Sequence, residues 1–420
     1  VDRFIIRPNG PLHGAVRVGG AKNSALKLMA ACLLAEGTHT LTNVPRIVDV
    51  DIMAEVLEAL GATVRRHLDG TVTVDSPGPD GLVPEAPYDL VEKMRASIVV
   101  LGPLLTRCRQ ARVSMPGGDD FGSRPIDIHL SGLSALGARF RSAHGYVEGE
   151  VAAGRLVGGR VVLEYPSHTA TDNLLMAAVL AKGTTVIENA AREPEICDLA
   201  AFLASMGASI RGAGTSRIEV EGVDELHPAT HAVISDRVVA ATYLAAVGLA
   251  GGEVVVEDAR LDHMEMLARK LTAIGMRIEQ EPGGVRAEAS GRPRSVDVAT
   301  LPYPGVATDY KPLLVTMLSV GDGVAIVTEN LFSGRFRYVE ELRRMGADIR
   351  TEGHHAVVRG VPRLSGAPVR APDIRAGAAL VLAGLVAEGE TEVTNAHHVD
   401  RGYEDLAGGL RSIGAHVHRR

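Results

Sequence analysis

The stretch Met115-Pro116-Gly117-Gly118-Asp119-Asp120-Phe121-Gly122-Ser123-Arg124-Pro125-Ile126-Asp127-Ile128-His129 sets two adjacent carboxylates and an arginine among three glycines and two prolines. Glycine opens backbone angles closed to other residues and proline fixes φ, so this is a loop with shaped turns. A carboxylate can move a proton, and a guanidinium forks onto phosphate or carboxylate. A solvated surface turn has the same composition. The loop therefore gains meaning only beside other charged positions.

Several such positions exist. Gly19-Gly20-Ala21-Lys22-Asn23 follows a strand-like opening and leads into a helix, where backbone N–H groups and an ammonium can hold a phosphate. It lacks the spacing of a P-loop. Arg95 precedes the apolar run from Ile98. Thr308-Asp309 follows the turn Pro302-Tyr303-Pro304-Gly305, so Asp309 could serve as a base or as a helix cap. Arg335 sits between Phe332 and Phe336, and Asp373-Ile374-Arg375 and Asp400-Arg401-Gly402-Tyr403 add two more arginines beside carboxylates. Taken singly, each reads as a surface charge. No H-E-x-x-H or C-x-x-C spacing points to a metal, and no G-x-S-x-G points to a serine nucleophile.

The elements that must position these groups are repeated. Leu-x-x-apolar-Gly followed by a small or apolar residue occurs six times, with its glycine at Gly61, Gly137, Gly207, Gly275, Gly346 and Gly414, a period of about 70 residues. Each copy predicts a helix closed by a left-handed glycine and followed by a strand. A second helix–glycine–strand element recurs at Leu34–Leu41, Leu180–Ile187, Leu249–Val256 and Val386–Val393. Six units, each with at least two helices running into strands, divide into two lobes of three.

Composition excludes some classes. A chain of 420 residues exceeds one ordinary core. A formal net charge of −7, 3% aromatics and no Trp argue against duplex or single-strand nucleic-acid binding, so any anionic ligand is held by a local cationic cluster. Three scattered cysteines fit a reducing compartment, and no apolar run reaches the ~20 residues that span a bilayer. The expectation is a cytoplasmic protein with no nucleic-acid and no membrane partner.

Together the motifs give the chain its resemblance. It resembles the enolpyruvyl transferases over its whole length, on Gly-Gly-Ala-Lys-Asn at 19–23, Arg-Ala-Ser at 95–97 and Pro-Gly-Gly-x5-Arg-Pro-x-Asp at 116–127. Glu188-Asn189-Ala190-Ala191-Arg192-Glu193-Pro194-Glu195, Thr308-Asp309, Asp373–Ala376 and Asp400–Tyr403 complete the set. The resemblance implies a two-lobed inside-out α/β barrel of six βαβαββ units, with residues 1–21 and 234–420 in one lobe and 22–233 in the other. It implies transfer of the enolpyruvyl group of phosphoenolpyruvate to a uridine nucleotide, by default to the 3-hydroxyl of UDP-N-acetylglucosamine for peptidoglycan, by addition and elimination of phosphate. It implies no cofactor and no metal.

The resemblance also assigns roles. Asp309 is the base, and Asp119, Lys22 and Arg401 join it in catalysis. Lys22, Arg95, Arg124, Arg335, Arg375 and Arg401 hold phosphoenolpyruvate, with Asp373 in the same network. Asn23, Arg124, Pro125, Ile126, Asp127, Ile128, Ser167, His168, Thr169, Thr308, Asp309 and Leu331 approach the nucleotide or sugar. Two departures stand out. Asp119 occupies the position of the family's usual cysteine, the target of fosfomycin, which implies insensitivity to that epoxide. Tyr165-Pro166-Ser167-His168-Thr169 and Val306-Ala307 differ from the usual sugar-nucleotide contacts. They leave open a second acceptor, the 3′-hydroxyl of UMP in nucleoside-antibiotic assembly. A catalytically silent nucleotide-binding paralogue is the reading of another class.

Overall fold

Six helices end in the same way. Val48–Ala59, Asp127–Ala135, Pro194–Ser205, Glu265–Ile274, Val339–Arg344 and Leu406–Ser412 each run into one of the repeated glycines, whose φ lies between 92° and 123°. In each copy the amide after the glycine donates to the carbonyl of the motif leucine: Ala62 to Leu57, Ala138 to Leu133, Ala208 to Leu203, Met276 to Leu271, Ala347 to Leu342 and Ala415 to Leu410, all at 3.0–3.2 Å. This 6→1 closure satisfies carbonyls that a helix end would otherwise leave bare, and it requires a left-handed residue at the glycine. The chain then enters a strand every time, as the repeat predicts: Thr63–Arg66, Arg139–Ala143, Ser209–Arg211, Arg277–Glu281, Asp348–Glu352 and His416–Arg419.

The computed structural model describes residues 2–115, 126–332 and 334–420. Among them are six four-stranded sheets of one topology: an edge strand parallel to its neighbour, then an antiparallel continuation. In the unit running from Gly20 to Ile234 the parallel pairs are Thr230–Ala232 with Gly37–Thr42, Glu85–Ala86 with Gln110–Ser114, and Arg160–Val162 with Thr184–Glu188. The other unit holds residues up to Gly19 and from Ser235 onward. Its pairs are Leu12–Arg17 with Gly252–Glu257, Val298–Ala299 with Val324–Thr328, and Pro368–Arg370 with Thr391–Thr394. In the last of these sheets the N-terminal strand Arg3–Arg7 lies between Thr391–Thr394 and His416–Arg419, antiparallel to both.

The expected inside-out barrel is not found. Every one of these sheets is open, with two free edges, and none closes on itself. The reason is strand number: closure into a filled barrel takes about eight tilted strands with matched stagger, and four cannot supply it. The fold is an α/β arrangement of small mixed sheets and helices.

Each unit has one apolar core. A second set of helices forms its centre. In the unit from Ser235 these are Arg237–Ala250, Lys311–Ser319 and Ile374–Gly384; all nine residues of the second and all eleven of the third are buried. In the other unit Lys22–Ala31 and His168–Ala178 are buried almost throughout, and Leu101–Cys108 follows the 3-10 turn Arg95–Val100. A helix apolar on every side belongs inside a protein, where sheets cover the faces a surface helix would leave wet. Their starts, at residues 22, 95, 168, 237, 308 (with its leading turn) and 374, repeat the period of about 70. No helix among the described residues is long and apolar enough to cross a membrane.

Candidate active site

The starts of the six buried helices carry Lys22, Arg95, His168, Asp309, Asp373 and Arg375. A helix start offers unpaired N–H groups and a positive partial charge, so acceptors and anions collect there.

In the unit from Ser235, three starts meet. Asp309 lies in the 3-10 turn Thr308–Tyr310 ahead of Lys311–Ser319. It is the N-cap of neither the turn nor the helix; its Oδ1 accepts from Arg335 Nη1 at 2.8 Å and its Oδ2 from Arg375 Nε at 3.3 Å. Arg335 and Arg375 are each only 4% exposed along the side chain, against 26% for Asp309, so the carboxylate is the wetter member. Asp373 does cap its helix, accepting from the amides of Arg375 and Ala376 at 2.9 Å, which fixes where Arg375 leaves the backbone. Burial pulls the Arg375 guanidinium down, but Tyr403, Asp309 and Asp236 outweigh it and hold the group above its ordinary value. Arg335 is raised in the same way, with burial overcome by Asp309 and Asp373. Both stay cationic.

The third start supplies a residue that sequence reading missed. Asp236 caps Arg237–Ala250, and the buried Arg237 reaches Tyr310 Oη at 3.3 Å and lies 5.3 Å from the Tyr303 ring. The period of the repeat would have found it, because Arg237 opens its helix where Arg375 and Lys22 open theirs. Arg401 ends the 3-10 turn Ala396–Arg401, half-buried, two residues before Tyr403, whose ring stands 5.3 Å from Arg375. Its neighbour Asp400 instead pairs with Arg419 at 2.5 Å.

Beneath this cluster is a fully buried ion pair, Lys311 Nζ to Glu329 Oε2 at 2.8 Å. Glu329 also accepts from Thr308 Oγ1 at 2.8 Å, and the amide of Leu331 donates to it at 2.8 Å. Leu331 thus stands on the turn that leads to Arg335.

In the unit from Gly20, Lys22 opens its helix with its Nζ 2.7 Å from the buried Asp49, and Asn23 follows it, half-buried. Five residues on, Lys27 approaches the buried Asp172 at 3.6 Å, tying this helix to His168–Ala178. Ser167 caps that second helix. His168 lies 3.7 Å from Asp172, and Thr169 Oγ1 is 3.2 Å from Nε2 of His129. Burial, more than the charge of nearby Arg95, pushes His129 down to about 3, so this imidazole is neutral. Burial also lifts Asp172 to about 7, opposed by Lys27. Ile126 is buried, Asp127 exposed and Ile128 half-buried at the start of Asp127–Ala135, and Arg95 is half-buried at the start of its turn. Asp119, Asp120, Arg124 and Pro125 lie outside the described residues.

The structure thus joins Thr308, Asp309, Asp373, Arg335 and Arg375 in one cluster and links Leu331 to it through Glu329. It joins Ser167, His168 and Thr169 at one helix start with His129 and Asp172. Among the described residues no three His, Cys, Asp or Glu side chains are grouped to hold a metal. Two guanidiniums around one carboxylate, at the meeting of three helix starts, make a cationic cluster that can hold a small anion beside a group that can accept a proton.

Comparisons with known proteins agree with this chemistry. The family EPSP synthase (3-phosphoshikimate 1-carboxyvinyltransferase) matches residues 6–410. UDP-N-acetylglucosamine 1-carboxyvinyltransferase of Nocardia farcinica is 51% identical, covering 100% of this chain and 98% of that protein. The enzyme of the same name from Mycobacterium tuberculosis is 50% identical, covering 100% and 99%. Among solved structures, the enolpyruvyl transferase NikO from Streptomyces tendae superposes with a TM-score of 0.88 at 26% identity, covering 100% of this chain and 98% of that one. EPSP synthase from Acinetobacter baumannii shares the fold, with a TM-score of 0.79 at 19% identity and full coverage of both chains. The chain is an enzyme of the enolpyruvyl (1-carboxyvinyl) transferase family.

Proposed function

We propose that the protein transfers the enolpyruvyl group of phosphoenolpyruvate to the 3-hydroxyl of UDP-N-acetylglucosamine, releasing phosphate, as a cytoplasmic step toward peptidoglycan. Relatives of that printed activity, about half identical over the whole chain, support the substrates. The observation that carries the chemistry is Asp309 held between Arg335 and Arg375. In this reading the arginines take the phosphate and carboxylate, and Asp309, released from them, removes the acceptor proton. Addition of the hydroxyl oxygen to the enol carbon, with a proton gained at the methylene carbon, gives a tetrahedral ketal; loss of a proton from the resulting methyl group then re-forms the double bond as phosphate leaves. Lys22, Arg95, Arg124 and Arg401 share the anion, and Asp119 supplies the proton to the methylene carbon. Asn23, Thr308, Leu331, Ser167, His168 and Thr169 face the sugar and diphosphate, and Arg124, Pro125, Ile126, Asp127 and Ile128 the uridine. Arg237 joins the anion set.

His168 beside the buried Asp172 supports a second acceptor, UMP, because an imidazole there replaces the usual small residues. Phosphate release from phosphoenolpyruvate, measured with UDP-N-acetylglucosamine and separately with UMP, decides between them. Turnover with the sugar nucleotide alone is expected. Turnover with UMP alone transfers the assignment to the nucleotide, and release with neither overturns the proposal.

A further inference from the structure

Lys311 and Glu329 are wholly buried, so neither can touch substrate. Burying two charges is costly, and a well-packed apolar pair of similar volume is often as stable or more so. Their presence therefore calls for an explanation beyond stability, and their hydrogen bonds supply one.

Glu329 Oε1 accepts from Thr300 Oγ1 at 2.7 Å and from the amides of Leu331 and Phe332 at 2.8 and 3.2 Å. Its Oε2 takes the hydroxyl of Thr308 at 2.8 Å and the Lys311 ammonium at 2.8 Å. Because Thr308 donates its only proton to Glu329, its lone pairs are left for Arg335 Nη1, at 3.0 Å. The same Nη1 reaches Asp309. Lys311 meanwhile donates to the carbonyl of Arg335 and lies 3.8 Å from the Phe336 ring. Arg335 is thus held at both ends: its backbone by Lys311, its guanidinium by Thr308 and Asp309. The Asp309 turn and the Leu331–Arg335 turn come from different stretches of chain, and this pair is what sets one against the other.

We propose that the Lys311–Glu329 pair is a positioning element for the transfer reaction, fixing Arg335 and Asp309 in mutual register from beneath the site. The inference rests on the functional reading above. Ionised Glu329 enforces the direction of the Thr308 hydroxyl bond. An amide in its place would turn its NH2 toward Thr308 and Lys311, reversing that bond and setting donor against donor.

The test uses the full chain. Phosphate release with phosphoenolpyruvate and UDP-N-acetylglucosamine is compared for the parent, Lys311→Met, Glu329→Gln and the double variant, with thermal midpoints for each. Each single change leaves a buried charge alone and is expected to lower the midpoint by several degrees. The double change removes both charges and recovers most of that loss. Its kcat nevertheless stays down at least tenfold, the KM for phosphoenolpyruvate rises, and nucleotide affinity remains within twofold. A folded double variant with kcat within twofold of the parent overturns the inference. An inactive parent overturns the functional reading and this inference with it. If the double variant does not fold, Thr300→Val and Thr300→Ser replace it. Only the valine, which takes a donor from Glu329, is expected to slow turnover by threefold or more; equal rates for the two overturn the proposal.

Discussion

Replacing Asp309 by Asn keeps the side-chain shape and removes the charge that Arg335 and Arg375 share. The contacts are 2.8 and 3.3 Å. At an effective dielectric constant near 20 these correspond to gross attractions of about 6 and 5 kcal/mol. The net loss is smaller, because breaking a buried pair costs about 3–5 kcal/mol and Asp309 keeps some water contact. We expect about 3 kcal/mol of destabilisation in the ligand-free protein, which for a unit of roughly 200 residues is a fall of roughly 6–12 °C in the midpoint of its unfolding. The sign is diagnostic, because removing a strained active-site group commonly stabilises a protein. Here the carboxylate is the counter-ion of two buried cations, so its loss must destabilise. Saturating phosphoenolpyruvate offers the arginines a replacement anion and should raise the midpoint of Asp309→Asn by more than it raises the parent's. Turnover should fall by about 10²–10⁴, the usual contribution of a general base. Calorimetry and phosphate release read the two effects separately. A ligand-free variant melting at or above the parent refutes the electrostatic argument, and kcat/KM within tenfold refutes the role of base.

Arg237→Ala should lower kcat/KM for phosphoenolpyruvate at least tenfold while nucleotide affinity, followed by titration calorimetry, changes little. Because a carboxylate is a poor nucleophile toward an epoxide, the parent should retain activity in fosfomycin; Asp119→Cys should become sensitive and gain one covalent adduct by mass spectrometry. The buried His129, depressed to about 3, binds no proton in the folded state where the unfolded chain does, below about 6.5. Acidification from pH 6.5 toward 3 therefore removes stability, by about 2 kcal/mol at pH 5. Asp172, raised to about 7, has the opposite sign: the stability it lends is complete below about 4 and is lost as pH rises through 7. Urea titrations across pH should show a flatter acid limb for His129→Asn and a steeper one for Asp172→Asn, and slopes equal to the parent's would refute both assignments.

Much of the fold was legible because the helix ends are chemically constrained. Only glycine takes φ near +100° without strain, so six closures left six visible marks. The second element showed in four units, and one of its two failures has a clear cause. In the unit of Leu101–Cys108 the left-handed position is taken by Arg109, at φ 61°, which carries no such signature. The barrel expectation failed because a repeat reveals the unit and not how its sheets end. Of the candidate residues that cluster, Asp309, Arg335 and Arg375 stood out in their motifs. Asp49, the partner of Lys22, and Glu329, the partner of Lys311, were not, since each looks like an ordinary acid in a helix or at the end of a strand. Their importance comes from burial, which pairs residues distant in sequence.

The placement of Arg3–Arg7 has a consequence for synthesis. A ribosome delivers this strand almost four hundred residues ahead of its two neighbours. The unit from Gly20 to Ile234 contains all its own strand partners and can be complete while that early strand still waits. Until the last strand emerges, the waiting segment exposes unpaired backbone on both sides, a natural place for a chaperone to hold.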